Sequence, residues 1–439
     1  MSAVSVQPGA AQPGASGTGA SPTGITLARA VVKSWKAPIA LGVFAILSLV
    51  LFWGFGRDGV SMFQLSTSSD VIQLPDLQLP TKLTGVVVPI ILVLITLWSF
   101  VLVYRARKVP LWLVSLYASL FMVVFLAWAS AGDSLPVPGL LVGTIVLSAP
   151  LIFGALGGVI CERGGVVNIA IEGQLLAGAF VASLIGSVTH SAYAGLVGAM
   201  IAGMLVSFVL AAFSIKYFVD QIIIGVVLNV LVAGLTSFLY STVLSPGGAA
   251  LNSPPQFPRI DIPVLSEIPI LGPVLFRQTI IIYIMYVTVA AVHFGLFHTR
   301  WGLRLRSTGE HPQAADTVGI NVNRTRFWNV SLAGVIAGMG GAFYTLTSVG
   351  AFNREMTNGA GFIALAAVIF GGWKPLQATL AALLFGFASN LQNVLVVIGS
   401  PVPSEFMLML PYIVTIFAVA GLVGKVRMPA ADGKPYIKS

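Results

Sequence analysis

Long apolar runs recur along this chain, and they restrict its fold more than any other feature. Stretches of about 20 mostly apolar residues, each long enough to cross a bilayer as an α-helix, alternate with polar loops. Backbone N–H and carbonyl groups in lipid must be hydrogen-bonded within the protein, and in an α-helix they bond to each other. A transmembrane β-barrel would show shorter segments of alternating polarity, and the sequence has none. We therefore predict an all-α polytopic membrane protein.

Composition supports this class and excludes two others. Hydrophobic residues make up 57% of the 439 residues and charged residues only 8%. Soluble domains carry about a quarter charged residues, so a water-soluble single-core fold is excluded. The net charge of +9 does not indicate nucleic-acid binding, because the basic residues lie beside apolar segments rather than along one face or arm. We expect membrane lipids as neighbours and no nucleic acid.

Twelve apolar segments fit the spanning pattern, so we predict about 10–12 transmembrane or re-entrant helices. The segment at 359–373 is short for a full span and is a candidate re-entrant helix. The twelve segments are 38–56, 86–104, 110–130, 139–160, 168–189, 192–214, 222–244, 278–298, 327–349, 359–373, 375–398 and 406–424.

The basic residues give these segments an orientation. If the N-terminus is cytoplasmic and all twelve segments cross, the inner side holds 18 Lys and Arg residues and the outer side holds 5. The positive-inside rule therefore places both termini in the cytoplasm and predicts a multi-pass protein of the plasma (cytoplasmic) membrane. The Pro-rich stretch 245–273 then forms an outer loop without regular structure.

The chain divides into four parts. Residues 1–28 are low-complexity Pro/Gly/Ser/Ala sequence, for which we expect a disordered cytoplasmic segment. Residues 29–137 are an N-terminal extension with about three membrane helices, the first of them retained because no signal peptide precedes it. Residues 138–425 form the transmembrane core, and residues 426–439 a cytoplasmic tail.

Signatures of an enzyme or a metal site are missing from the sequence. The four histidines are scattered, and the single cysteine, Cys161, excludes an internal disulfide and a Cys-based zinc site. There is no nucleophile elbow, no paired-carboxylate constellation and no phosphate loop. We predict no catalytic residue, no metal and no cofactor on this chain, so ATP would have to be bound by another chain.

One long polar stretch, residues 306–326, stands between apolar runs. Within it, "GEHPQAADTVGI" places Pro312 in the first turn of a short helix and Gly319 at its end. We expect Ala314 and Ala315 to give this helix a face of small residues. Such a helix either is solvated or lies in a groove of another protein, and the pattern alone does not decide between them.

The same stretch resembles the cytoplasmic coupling loop of ABC importer permeases. "GALGGVICERGGVVNIAIEGQLLAGAF" (154–180) and "GAGFIALAAVIFGGWKP" (359–375) are similar to permeases of the nucleoside and simple-sugar branch, which are related to ribose and branched-chain amino-acid permeases. The resemblance covers residues 138–425. It implies a permease subunit of an ATP-driven importer for a nucleoside or a related simple sugar.

This resemblance also implies partners. Two permease subunits would form the pathway, two ABC ATPase subunits would use ATP, and an extracytoplasmic substrate-binding protein would deliver the solute. Nucleoside systems commonly use two different permeases, so we expect a heteromer. The residues implied in ATPase coupling are Gly309, Glu310, His311, Pro312, Ala314, Ala315, Asp316 and Gly319.

Polar residues inside apolar segments are candidates for the substrate pathway, because unpaired polar groups are costly in lipid. Asn168 and Glu172 are four residues apart and are predicted to share a helical face, and a Gly-rich break precedes them. The alternative is that they join helices, with Glu172 bracing a neighbouring helix, for instance through Arg163. The candidates are Asn168, Glu172, Gln174, Asn229, Asn390 and Asn393.

A second class of function stays open at this point. An ion-coupled secondary transporter of a small polar solute would need a carboxylate within the membrane that cycles protons or sodium ions. Glu172 is the clear candidate for that role. Transport by the purified chain without an ATPase would favour this alternative.

Overall fold

The structure analysed is a computed structural model that describes residues 34–67, 70, 72–399, 409 and 427–438. Within these residues it contains fifteen α-helices and five short strands. Ten of these described helices, some extended by a π-helical turn, are long and apolar enough to cross a membrane. The all-α polytopic class is thereby confirmed. The predicted disordered segment 1–28 and, apart from Met409, the predicted span 406–424 lie outside the described residues.

The α-helices follow one another with short connections. They are α1 (Lys36–Leu49), α2 (Thr81–Tyr104), α3 (Leu111–Ala129), α4 (Val137–Arg163), α5 (Ile171–Thr189), α6 (Ala192–Ala211), α7 (Gln221–Leu239), α8 (Ser245–Gly247), α9 (Ala249–Asn252), α10 (Ile280–His298), α11 (Arg300–Glu310), α12 (Pro312–Thr317), α13 (Val322–Phe343), α14 (Ala360–Phe370) and α15 (Pro375–Val397). Four of these helices continue into π-helical turns at Val50–Gly54, Ala212–Lys216, Tyr240–Leu244 and Tyr344–Ser348.

The short helix α14 departs from the other membrane segments. Its 11 residues extend about 16 Å, roughly half the thickness of the hydrocarbon core. The preceding residues 349–359 are irregular, and Phe352 among them is buried against Phe180 of α5. The predicted segment 359–373 is therefore a half-length helix inside the bundle, not a complete span.

Short strands lie in the connections between the helices. β1 (Val60–Gln64) pairs antiparallel with β2 (Leu77–Pro80) and parallel with β3 (Ser134–Pro136). β4 (Arg259–Asp261) pairs antiparallel with β5 (Arg277–Thr279), with Ile260 opposite Gln278. The prediction that 245–273 lacks regular structure is therefore wrong in detail, because α8, α9 and β4 lie in it.

Small residues allow α6 and α13 to pack at backbone distance. A Cβ atom added to Gly203 would meet the carbonyl oxygen of Gly334, and one added to Gly338 would meet the carbonyl oxygen of Ala199. Small residues at four-residue spacing on both helices create this contact. The contact places the polar groups of α6 beside α5 and α13, where the candidate site lies.

The N-terminal helices form their own packed unit beside the core. The Tyr117 hydroxyl of α3 donates to the Leu41 carbonyl of α1 at 2.8 Å. Phe52 and Trp128 share an apolar cluster with Leu140 of α4 and Leu391 of α15. This extension therefore contacts the core through the ends of α4 and α15.

Candidate functional site

A non-helical break, residues 164–170, separates α4 from α5. Gly165 has a φ of +88°, a conformation that glycine adopts without strain. Asn168 lies within this break, and α5 begins only at Ile171. The prediction that Asn168 and Glu172 share a helical face is therefore wrong. Gly164 and Gly165 end α4, and α5 does not begin until three residues after Asn168.

Asn168 and Gln174 form a buried amide pair. Each side-chain amide nitrogen donates to the other side-chain oxygen at 3.1 Å, and neither residue is exposed. The Gln174 amide also donates to the Ser207 hydroxyl of α6 at 2.9 Å. These bonds fasten the break to α5 and α6, so both predicted pathway residues have partners within the protein.

Helix α7 contributes two further amides to the break. The Asn229 side chain accepts from the Gly173 N–H and donates to the Ile169 carbonyl, both at 2.8 Å. The Gln221 side-chain oxygen accepts from the Val167 N–H at 2.7 Å. Backbone groups that the break leaves without helical partners are satisfied in this way. Gln221 was not predicted as a site residue because it lies at the first position of α7, outside the predicted apolar segment 222–244.

Glu172 contacts the start of α14. One carboxylate oxygen accepts from the Thr357 hydroxyl at 2.6 Å and from the Gly359 N–H at 2.9 Å. The other accepts from the Gly361 N–H at 2.6 Å. A carboxylate at a helix N-terminus satisfies unpaired N–H groups and complements the helix dipole. Glu172 therefore braces a neighbouring helix, and it does so through α14 and not through Arg163.

The opposite end of α14 is fastened by the last two residues of α4. The Trp373 indole N–H donates to the Glu162 carboxylate. The Arg163 side chain donates to the Trp373 carbonyl at 2.8 Å. The "ICERGG…IEG" motif thus supplies contacts to both ends of one short helix. Glu162 was missed as a site residue because it lies at the end of an apolar run, where a charge is ordinary.

The two asparagines of α15 differ in their surroundings. Asn390 is buried, and its amide donates to the Leu140 carbonyl at 2.7 Å. Asn393 is exposed on the helix surface. The two asparagines lie three positions apart on α15 and differ in burial. Of the six candidate residues, five are hydrogen-bonded within the protein, and their assignment to the substrate pathway stays a prediction.

The polar stretch 306–326 contains the end of α11, the whole of α12 and the start of α13. α11 was not predicted, whereas α12 is the expected short helix with Pro312 at its first position. Gly319 has a φ of +87°, and the N–H of Ile320 donates to the Ala315 carbonyl at 3.0 Å. The Gly319 N–H also donates to the Asp316 carbonyl at 2.9 Å. These two hydrogen bonds form a Schellman motif, which requires a positive φ at this position and so explains the glycine.

Two of the predicted coupling residues contact other parts of this chain. Glu310 is 3.7 Å from Arg163, within the same chain. Ala315 is 2% exposed and packs against Val322, whereas Ala314 is exposed. The prediction that both alanines share one outward face is therefore wrong, since adjacent helical positions point about 100° apart.

This loop is also joined to the break. Thr308 is buried, and its hydroxyl contacts the Gly164 carbonyl at 3.3 Å. Gly309 lies so close to Arg163 that an added Cβ would strike its carbonyl oxygen. This loop therefore rests directly on the turn that leads to Asn168. Among the described residues, no group of three or more His, Cys, Asp or Glu could bind a metal ion.

Helices of spanning length, with a polar break between two of them and a polar loop that exposes a short helix, define a polytopic membrane protein. Comparison with known families makes this specific: residues 140–419 match the family of branched-chain amino acid transport system permease components. The chain belongs to this family. It is a multi-pass plasma-membrane permease subunit, and its relatives are translocation subunits of ABC transporters rather than enzymes.

Curated relatives extend this similarity. The guanosine ABC transporter permease protein NupQ of Bacillus subtilis is 43% identical over 305 residues, covering 67% of this chain and 95% of the relative. The nucleoside ABC transporter permease protein NupC of Lactococcus lactis is 41% identical over 310 residues, with the same coverage. A putative glucose permease, TsgC13 of Haloferax volcanii, is 34% identical over 58% of this chain and 77% of the relative. No solved structure gives a significant match.

Proposed function

We propose that this permease subunit imports nucleosides. The observation that carries the proposal is its identity of 43% and 41% to permeases named for guanosine and nucleoside transport, along 95% of their length. The glucose permease is less similar, at 34%. A nucleoside therefore ranks above a simple sugar as the solute.

The proposed assembly contains two ABC ATPase subunits, an extracytoplasmic binding protein and a second, different permease. ATP would be hydrolysed on the ATPase chains, and this chain would bind no cofactor. Bacillus subtilis has two guanosine permeases that resemble this chain to different degrees, NupQ at 43% and NupP at 24% identity. Lactococcus lactis has a similar pair in NupC and NupB, at 41% and 23%. These pairs support a heteromer.

The ATPase would contact the exposed side of the short helix α12 in the cytoplasmic loop. Ala314, Thr317 and Val318 face outward there, and Val318 is 74% exposed. A large apolar side chain outside the lipid is suited to burial against a partner protein. The chain's own Arg163 and tail already contact Glu310, so Ala314 and Val318 replace Glu310 and Ala315 as the proposed contact residues.

We propose that Asn168, Gln174 and Asn229 shape the pathway by fixing the break 164–170, and that Glu172 does so by fixing α14. The ribose hydroxyls of a nucleoside could contact Asn168, Glu172 or Gln174 only if some of the observed bonds exchange. The same bonds argue against the ion-coupled alternative. Both Glu172 oxygens already accept hydrogen bonds from residues 357–361 and are therefore not free to bind and release a proton or a sodium ion. A cycling carboxylate would have to leave these donors unpaired.

A charge on the exposed face tests the docking proposal. Val318→Asp should lower co-purification of the ATPase and ATP-dependent nucleoside uptake by about tenfold or more. The change removes an apolar contact with the proposed ATPase partner and places a charge in the interface, where it would lose its water. Val264→Asp is the matched control, because Val264 is 75% exposed in the outer loop. Normal ATPase binding in Val318→Asp would contradict the docking assignment.

A further inference from the structure

The described C-terminal residues, 427–438, return to the cytoplasmic loop. The Ala431 N–H donates to the Gly309 carbonyl at 2.8 Å. The Ala430 N–H donates to the Glu310 carboxylate at 3.3 Å. These bonds join the tail to the end of α11, directly before the short helix α12. The contact brings together residues that lie about 120 positions apart.

A buried arginine also joins the tail to the same loop. Arg326 of α13 is 2% exposed and donates to the Lys434 carbonyl at 2.9 Å and to the Thr308 carbonyl at 3.0 Å. Asp432, which is 3% exposed, lies near enough to interact electrostatically with Arg326. A buried guanidinium requires such hydrogen-bond acceptors. The tail thus supplies part of the environment that keeps this charge buried.

The third contact covers α12 itself. Tyr436 is buried in an apolar cluster with Ala315 of α12 and Val322 of α13, against which Ile320 also packs. Its hydroxyl is next to Asp316; burial, and secondly the Asp316 carboxylate, raise the pKa of the Tyr436 phenol. Tyr436 therefore packs against the inner side of α12, opposite the exposed Ala314.

We infer that residues 429–436, here called the tail brace, position α12 for contact with the ATPase and are needed to couple ATP hydrolysis to import. An isolated helix of six residues has almost no intrinsic stability in water, so its position must come from tertiary contacts. The observed contacts of its buried side are with Tyr436 and α13. This inference rests on the proposed docking of the ATPase on α12.

The test removes one brace contact and leaves the outer face of α12 unchanged. Tyr436→Ala is compared with Ile437→Ala, because the neighbouring Ile437 is 69% exposed. Both variants are reconstituted with the ATPase, the second permease and the binding protein of the native complex. The measurements are ATP hydrolysed per guanosine imported and the stimulation of hydrolysis by guanosine-loaded binding protein.

Tyr436→Ala should increase the ATP used per imported guanosine by about tenfold, as expected when a buried aromatic contact of ~1.4 kcal/mol is lost. Ile437→Ala should behave as the unchanged protein. Tyr436→Phe keeps the buried ring and should retain most of the coupling. If Tyr436→Ala cannot be purified in a folded state, removal of residues 436–439 replaces it with the same expectation.

The outcomes separate this inference from the proposed docking. Normal coupling in Tyr436→Ala together with lost ATPase binding in Val318→Asp would overturn the brace and leave the docking in place. Normal behaviour of both variants would overturn both. Impaired coupling in Tyr436→Ala, with its membrane insertion and thermal unfolding unchanged, supports the brace.

Discussion

The carboxylate of Glu172 accepts a hydrogen bond from the backbone N–H of Gly361, which lies 189 residues further along the chain. The two segments meet at backbone distance: a Cβ added to Gly361 would collide with the backbone nitrogen of Glu172. Ten residues before Glu172 in the sequence, Glu162 accepts from Trp373 at the other end of α14. Two carboxylates of one motif thus fix the position of a half-length helix in the bundle.

Removal of the Glu172 charge tests this brace on α14. Glu172→Gln keeps the side-chain length but replaces one carboxylate oxygen, an acceptor, with an amide N–H₂, a donor. The Thr357 hydroxyl or the Gly361 N–H, which now donates to that oxygen, would then lose its acceptor. We expect a loss of about 1–3 kcal/mol in the free energy of unfolding, because a buried donor is left without an acceptor. The measurement is thermal unfolding in detergent, with Asn393→Ala on the exposed face of α15 as the control. Equal unfolding temperatures would show that the bonds of Glu172 contribute nothing to stability.

The second test compares two arginines of α13, the buried Arg326 and the exposed Arg324. Arg326→Lys keeps the charge but cannot reach the Thr308 and Lys434 carbonyls with two separate nitrogens. We expect a loss of about 2–3 kcal/mol for one or two charged hydrogen bonds in a buried place. Arg324→Lys, on the exposed side of the same helix, should be neutral. Unfolding by denaturant measures both, and equal midpoints would contradict the role of Arg326.

The α6–α13 contact is tested by adding one methyl group. In Gly338→Ala the new Cβ would meet the Ala199 carbonyl oxygen, so the helices must separate, at a cost of about 1–3 kcal/mol. Gly234→Ala is the matched control within α7, since no atom lies within 4 Å of its added Cβ. It should be neutral or stabilising, as alanine has the higher helix propensity. Yield of folded protein and unfolding temperature report the difference.

Attachment of the tail should depend on pH through Asp432. Burial, and secondly the Glu162 carboxylate, raise the pKa of Asp432 to about 8, whereas the Gly433 hydrogen bond and the charge of Arg326 act in the opposite direction. A raised folded-state pKa means that docking is strongest below the ordinary Asp pKa of about 4 and weakens as pH rises toward the folded value.

A fluorescent label at position 437 can follow this change, because the native Cys161 is buried. A label on Ile437→Cys should report tail release as the pH rises from about 4 toward 8. Adding Asp432→Asn should remove that dependence, and the tail should stay attached at the higher pH. A pH profile that Asp432→Asn does not alter would assign the change to another group.

Much of the fold follows from the sequence because lipid imposes a simple rule. Runs of about 20 apolar residues predict spanning helices, and the basic loops predict their orientation. The short helix α12 also followed from local signals, Pro312 at its start and Gly319 after its end. These features depend on residues close together in the chain.

The contacts of the site could not be predicted in the same way. Glu172 bonds to residues 185 to 189 positions away, and the choice between pathway and brace depended on where α14 lies. Asn168 was placed on a helix because periodicity gives no sign that Gly164 and Gly165 delay the start of α5. The burial of Ala315 depends on Tyr436, 121 positions later, and no local pattern records that contact.

The proposed activity of this permease is nucleoside import driven by ATP that is hydrolysed on a partner chain. Its most direct measurement is uptake of radiolabelled guanosine into proteoliposomes that contain the permease, its partner subunits and the binding protein. We predict uptake against a gradient with ATP and none with a non-hydrolysable analogue, and loss of uptake when the ATPase is omitted. Accumulation by the permease alone, driven by a proton or sodium gradient without ATP, would contradict the account.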